Sequence, residues 1–360
     1  MNIALLSNAS SIHTIRWANG LVSRNIEVHL ISIHPFTQDL DMRVNQHYLP
    51  IKAPWGYVTS VLPLKKLLRT IKPDLLNVHY ATGYGLLARL SGYRPLLLSV
   101  WGSDVYGFPV TTPMHRWLLK GNLRFATAIA STSHAMACKT YETFLHPHIF
   151  ITPFGIDDIL FSPKPHAKED DVLIVGTVKA LKFVYGIDTL IEAFALAVAK
   201  LNGVVSVRLE ITGCGPELVD LQSLAMELGV EDKVVFHGAV NHAQVPEILN
   251  RLDVYVALSR FESFGVAILE ASACEKPVVV SDAEGPAEVT IEGVTGYIVP
   301  KNNPEAAAEK LVTLLKSSKI RTQLGKAGRQ QVLSNYSWDK SLDIMIDAYT
   351  KTIEIGSVLE

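Results

Sequence analysis

Cysteine is scarce in this chain. Its three residues, Cys138, Cys214 and Cys274, lie far apart and are odd in number. That excludes a disulfide-stapled secreted scaffold, and no Cys/His spacing resembles a zinc site. Long apolar runs are missing as well: none reaches the roughly 18 residues that a membrane-spanning helix needs. The opening MNIALLSNAS lacks the basic flank of a signal peptide and reads as a first core strand. Charged residues make up only 19% and apolar ones 48%, which excludes a disordered chain and provides for large cores. These features predict a globular protein of a reducing compartment, the cytoplasm. A length of 360 residues is that of two ordinary domains.

Net charge is close to zero, but its two signs are separated along the chain. Residues 1–157 hold 14 Lys and Arg against 7 Asp and Glu, and the remainder holds 19 against 28. Opposite charge in the two halves points to different partners. In the basic half, VTSVLPLKKLLRTIKP sets Leu62, Leu64 and Leu68 beside Lys65, Lys66, Arg69 and Lys72. TPMHRWLLKGNLRF likewise sets Met114 and Trp117 beside Arg116, Lys120 and Arg124. Either these are ordinary helices covering a sheet, or they also make peripheral contact with an anionic inner membrane.

Short runs rich in Val, Ile and Leu alternate with longer helical stretches. In the first half they fall at 2–7, 26–32, 74–80, 95–100, 126–132 and 148–152. In the second they fall at 171–178, 204–212, 233–237, 253–257, 277–281 and 295–299. Continuous apolar strands separated by helices imply parallel sheets covered on both faces. Two such series predict two Rossmann-like, doubly wound domains, at about 1–157 and 158–337. The linker falls in the proline-rich, charged stretch 154–170, and a last helix at 338–360 is expected to return to the first domain. Ligands of such sheets bind at the carboxyl ends of the strands, so the expected arrangement has two binding surfaces across one cleft.

The most informative stretch is RFESFGVAILEASACEKP, beginning at Arg260. Glu262 precedes a helix expected to start at Phe264 or Gly265, and Glu270 falls in its second turn among apolar residues. An ionised carboxylate in so apolar a helix is costly unless something pairs with it. The hydroxyls of a ribose are suitable partners, and an internal partner is the alternative. The helix N-terminus offers free N–H groups to a phosphate.

This pattern, with TPFGIDDILFSP, GCGPELVDLQSLAMELGVEDKVVFHGAV, VPEILNRLDVYVALSRFESFG and GPAEVTIEGVTGYIVP in that order, strongly resembles the retaining glycosyltransferases of family 4. The resemblance covers essentially the whole chain and is strongest after Pro153. It implies the two-domain GT-B fold and sugar transfer from a nucleotide-sugar, a UDP-sugar here, with retention at the anomeric carbon. Glu270 is then the ribose ligand and Glu262 lies beside the transferred sugar. Ser263, Phe264, Gly265 and Val266 line the sugar and diphosphate, and Gly213 and Val240 approach the base. Glu288 matches an acid near the donor pocket. In the family a basic pair neutralises the diphosphate. Here Lys182 fits the family lysine, Thr177 stands where Arg is usual, and Lys179 is the candidate substitute. Preorganised cations stabilise a leaving diphosphate without a metal. The catalytic assignments are Glu262 and Lys182. Glu262 acts either as a nucleophile or, in front-face displacement, as a group that positions the sugar and stabilises positive charge.

The first domain is expected to bind the acceptor, a saccharide or a lipid-linked sugar, in assembly of a surface polysaccharide. His13 and Arg16 start the helix after the first strand. SVWGSDVYGFP resembles the family's His-Gly-x-Asp loop and retains Gly102 and Asp104, with Trp101 where His is common. Asp39-Leu40-Asp41 spells a metal-binding Asp-x-Asp, but it lies away from the donor motifs and is given no metal role. No cofactor and no nucleic-acid partner are expected. Two rival functions fit a similar fold: a nucleotide-sugar epimerase and a non-catalytic scaffold subunit. A nicotinamide dehydrogenase is disfavoured because no G-x-G-x-x-G follows the first strand.

Overall fold

Every strand pair in the computed structural model is parallel, and the strands form two separate sheets. The structure describes residues 1–165 and 171–359; residues 166–170, the end of the expected linker, lie outside them. The chain divides into one unit of Met1–Pro153 with Asp339–Glu360 and a second of Phe154–Trp338.

In the first unit the strands are β1 (Asn2–Leu6), β2 (Glu27–Ser32), β3 (Asn45–Tyr48), β4 (Leu75–His79), β5 (Leu96–Val100), β6 (Ala128–Ser131) and β7 (Ile149–Ile151). Their order across the sheet is β3-β2-β1-β4-β5-β6-β7. β4 and β5 are buried at every position, as strands covered by helices on both faces must be. β3 was not anticipated from the apolar runs. Its sequence, Asn-Gln-His-Tyr, is polar and largely exposed. It is an edge strand held by backbone pairing from His29↔Asn45 to Ser32↔Tyr48, and an edge needs no apolar run.

The second unit contains β8 (Leu173–Val178), β9 (Val207–Thr212), β10 (Val234–Gly238), β11 (Val254–Ala257), β12 (Val278–Ser281) and β13 (Gly296–Val299). Their order is β10-β9-β8-β11-β12-β13. Phe194, Leu190 and Ile191 of the helix Ile187–Leu201 enter its core with Leu209, Ile211, Val254 and Val256. In both sheets the winding reverses beside the first strand, between β1 and β4 and between β8 and β11. That reversal opens a crevice at the carboxyl ends of the strands, where such folds hold their ligands.

The last helix, Trp338–Leu359, belongs from Asp339 onward to the first unit. Leu342, Met345 and Tyr349 recur on one face and are buried, a helical stripe of spacing three and four. The Tyr349 hydroxyl donates to Asn77 Oδ1 at 2.9 Å. Asp339 and Asp343, one turn apart, both pair with Arg24, at 2.9 and 3.1 Å.

Candidate active site

The winding reversal of the second sheet is where its charge collects. β8 ends at Val178, and the side chain of the next residue, Lys179, is only 9% exposed. Its ammonium pairs with Glu262 Oε1, while Ser259 Oγ donates to Glu262 Oε2 at 2.7 Å. Burial alone would lower the Lys179 pKa. The Glu262 carboxylate, followed by the phenols of Tyr255 and Tyr185, more than reverses this and raises it above the ordinary lysine value. The ammonium also lies 4.9 Å from the centre of the Tyr185 ring. Lys182, three residues on, is exposed and forms no ion pair with a described residue. It precedes a short turn, Phe183–Tyr185.

After β11 the chain runs through Ser259 and Glu262 into the helix Val266–Ala273, capped by Gly265 with φ +117°. The first amides of that helix have no acceptor within it. Ser263 and Val266 are half-buried. Glu262 O accepts from Gly285 N at 3.0 Å, which ties the loop to the helix Glu284–Val289, where Glu288 sits half-buried. Glu270 is 6% exposed, and His242 Nε2 lies 2.9 Å from its Oε1. The His242 ring meets the edge of Phe161 at 5.4 Å. Val240, half-buried after β10, is two residues from this histidine. Gly213 has φ +147°, and a Cβ there would fall 1.8 Å from Lys179 O. The GCGP turn therefore lies directly on the chain leaving β8, and no side chain fits between.

Three expectations change with these positions. The Phe264 ring does not line a ligand surface: it is 3% exposed and packs between Phe154 and Tyr336, at 6.3 and 5.9 Å. Only its backbone remains for binding. Lys179 is not a spare cation for a diphosphate, because its charge is committed to Glu262. Asp104, in the first unit, is fully buried and accepts from the amides of Ala81, Trp101 and Gly102 at 2.9, 3.1 and 2.8 Å. Burial holds its pKa above the ordinary carboxylate value, and those amides offset only part of the rise. It shapes the loop after β5 and offers nothing to an acceptor. His242 was missed altogether. Its only signal was a histidine shortly after a strand end on the candidate ligand side.

The corresponding end of the first sheet is rich in aromatic rings. His13 and Arg16, both half-buried, lie on the helix Ile12–Ser23 after β1. The Trp101 ring meets His13 at 5.8 Å, His79 at 4.4 Å and Tyr80 at 6.3 Å. Gly102 beside it is buried with φ +145°. Asn77 Nδ2 donates to Leu97 O and Ser99 Oγ, so its Oδ1 accepts from His79 Nε2 at 3.1 Å. Burial, with a smaller effect of His13, lowers the His79 pKa to about 3. Ser7 and Thr14 hydroxyls are hydrogen-bonded at 2.7 Å. Asp41 of the Asp-Leu-Asp sequence pairs with Arg43 at 2.7 Å, and the described residues contain no cluster of three metal-ligating side chains.

Two doubly wound parallel sheets, with paired acids and lysines at the strand ends of the second, define a protein of the GT-B class. Known proteins place it further. The family model described as glycosyl transferases group 1 matches residues 158–331, and that described as glycosyl transferase 4-like matches residues 2–133. The chain belongs to this glycosyltransferase family. It is 30% identical to a GDP-mannose-dependent alpha-(1-6)-phosphatidylinositol monomannoside mannosyltransferase of Mycolicibacterium smegmatis over 275 residues, 71% of this chain and 69% of that one. It is 24% identical to N-acetyl-alpha-D-glucosaminyl L-malate synthase of Bacillus anthracis over 342 residues, 89% and 88% of the two chains. HepE of Anabaena, solved in complex with UDP, superposes with a TM-score of 0.83 at 17% identity, covering 98% of this chain and 100% of that one. No helix among the described residues is long and apolar enough to cross a membrane.

Proposed function

We propose that this glycosyltransferase moves a sugar from a UDP-sugar to a saccharide or lipid-linked acceptor, with retention at the anomeric carbon, in surface polysaccharide assembly. The observation that carries the donor site is Glu262 and Glu270 flanking the start of the helix Val266–Ala273, tied through the Lys179–Glu262 pair to the end of β8 at the winding reversal. Glu270, buried and held by His242, accepts from ribose hydroxyls. Ser263, Gly265, Val266 and the helix amides take the diphosphate, with Lys182 as the exposed cation. Gly213 and Val240 border the base, and Glu288 flanks the pocket. The complexes of HepE with UDP and with UDP-glucose support a uridine donor.

Glu262 has both carboxylate oxygens engaged, one by Lys179 and one by Ser259. Such a carboxylate is a weak nucleophile but a fixed negative charge beside a developing oxocarbenium ion. This favours front-face displacement, in which the departing phosphate oxygen takes the acceptor proton. Lys182 and the helix amides carry the leaving charge without a metal. In the first unit His13, Arg16 and Gly102 border the acceptor.

The exposed Trp55, Val58 and Leu62, and Met114 and Trp117 on the helix Pro113–Phe125, stand among Lys65, Lys66, Arg69, Arg116 and Lys120. They fit a cytoplasmic enzyme resting on anionic lipid, which supplies a lipid-linked acceptor. Nucleoside diphosphate release from UDP- and GDP-sugars, followed by NMR of the product's anomeric proton, tests the proposal. UDP release with an α-product from an α-donor, in EDTA, is expected. An inverted product or strict metal dependence contradicts it. Flotation with anionic vesicles at low salt tests the membrane contact, and no co-flotation would refute it.

A further inference from the structure

The segment carrying Lys182 and the loop carrying Glu262 are fastened together by one buried side chain that no expectation included. Arg260 is 9% exposed. Its Nη1 donates to Asp188 Oδ1 at 2.9 Å and its Nη2 to Asp188 Oδ2 at 2.7 Å. Nη1 also donates to Phe183 O at 2.7 Å, and Nη2 reaches Thr189 Oγ1 at 3.3 Å. The guanidinium lies 4.1 Å from the centre of the Phe183 ring. Backbone contacts repeat the connection: Arg260 N donates to Val184 O at 2.8 Å. At Gly186, φ is +61° and a Cβ would fall 2.1 Å from Leu258 O, so the two segments lie in direct backbone contact.

This anchoring has a direction. Phe183–Tyr185 is the turn that begins at Lys182, and Asp188 lies in the first turn of the next helix. Arg260 thus grips the chain on the far side of Lys182, while its own backbone leads two residues on to Glu262. A fork with two bonds to one carboxylate fixes orientation as well as distance, which a lysine or an apolar side chain does not. An ion pair whose carboxylate side chain stays 39% exposed contributes little stability, so its use here is better explained by geometry. Lys182 has no ion-pair partner among the described residues to hold it. Its place relative to Glu262 is set by the backbone that Arg260 holds.

We propose that Arg260 is a positioning residue for the leaving group: it sets Lys182 against the Glu262 loop so that the ammonium meets the donor's diphosphate. This rests on the donor-site reading above. The test is equilibrium binding of a nucleoside monophosphate and its diphosphate to the full chain, UMP with UDP or GMP with GDP, whichever the wild type binds. Wild type should prefer the diphosphate by about 10-fold or more, as expected for a contact between charged groups. Lys182→Ala should abolish most of that preference. Arg260→Gln and Arg260→Lys should lose it to a similar degree, about 10-fold, with monophosphate affinity unchanged within about 2-fold. The double variant Lys182→Ala/Arg260→Gln should lose no more than either single one. If Arg260→Gln fails to fold, Asp188→Asn, which removes the partner at constant size, serves in its place with the same expected loss. An undiminished diphosphate preference in the Arg260 or Asp188 variant, or additive loss in the double variant, overturns the proposal. Binding of none of the four nucleotides to wild type would instead sink the donor-site reading, and this inference with it.

Discussion

The two sheets wind in the same way and place opposite chemistry at the same point. Where β8 and β11 part, the chain gathers Lys179, Lys182, Arg260 and Glu262, with Glu270 close behind. Where β1 and β4 part, it gathers Ser7, Thr14, His79 and Trp101, and the histidine there is kept neutral by burial. Topology alone therefore predicts that both ends can bind, and side chains decide what. A diphosphate that departs with growing negative charge needs fixed cations and amides. A hydroxyl acceptor carries no charge to neutralise, and aromatic rings with the cation Arg16 suit it. The loops also differ in how they are held: the second unit uses ion pairs between loops, whereas the first uses backbone amides directed at Asp104 and hydrogen bonds through Asn77.

The sharpest way to break this contrast is through the buried pair of the second unit. Lys179→Met leaves Glu262 without its partner and should cost about 3–5 kcal/mol of stability. Lys182→Met, at an exposed site, should stay within about 0.5 kcal/mol. Chemical denaturation of both variants measures the difference, and equal small effects would mean that the pair does not hold the loop. Next in size is the chemical step. Glu262→Gln keeps shape and removes charge, and should lower turnover at least 100-fold, roughly 2.7 kcal/mol of barrier. Nucleoside diphosphate release in the presence of acceptor follows it, and full turnover would remove Glu262 from the chemistry.

The first unit should show its buried histidine through pH. His79 has a folded pKa of about 3 against an ordinary value near 6.5. The folded state binds its proton less readily, so the associated stability is complete above about pH 6.5 and falls as pH drops toward 3. By pH 5 the loss should reach about 2 kcal/mol. Thermal melts at pH 7.5 and 5 would detect it, and His79→Gln should flatten that part of the profile; an unchanged slope would count against a buried neutral histidine. Smallest is Tyr349→Phe, which removes the hydroxyl bonded to Asn77. It should cost about 1 kcal/mol, and a neutral result would leave the last helix held by its apolar stripe and the Arg24 ion pairs.

Much of this was legible before any coordinates, for particular physical reasons. Strands covered on both faces must be largely apolar, so twelve of the thirteen strands among the described residues stood out as runs rich in Val, Ile and Leu. β3 did not, because an edge strand made of Asn45, Gln46, His47 and Tyr48 has no reason to be apolar. Glu262 and Glu270 were visible because charge near the start of an apolar helix is anomalous. Their partners were not. Lys179 lies 83 residues from Glu262 and His242 lies 28 from Glu270, and no local pattern states which charges will meet. The same blindness explains why Lys179 looked like a free cation and Arg260 like an ordinary loop residue. Asp104 was visible as a loop acid, but only the structure shows its oxygens turned inward to amides.

The central claim is that the charged end of the second sheet is a nucleotide-sugar site with Glu270 as its ribose ligand. Thermal stability against UDP, GDP, ADP and TDP, in wild type and in Glu270→Ala, tests it most directly. A ligand at about 100 times its dissociation constant adds roughly 2.7 kcal/mol, commonly a shift of about 2–4 °C at this size. The account predicts that UDP alone raises the wild-type midpoint by that amount and that Glu270→Ala, folded and melting cooperatively, shows no shift. Stabilisation that survives in Glu270→Ala, or none by any nucleotide in wild type, would contradict it.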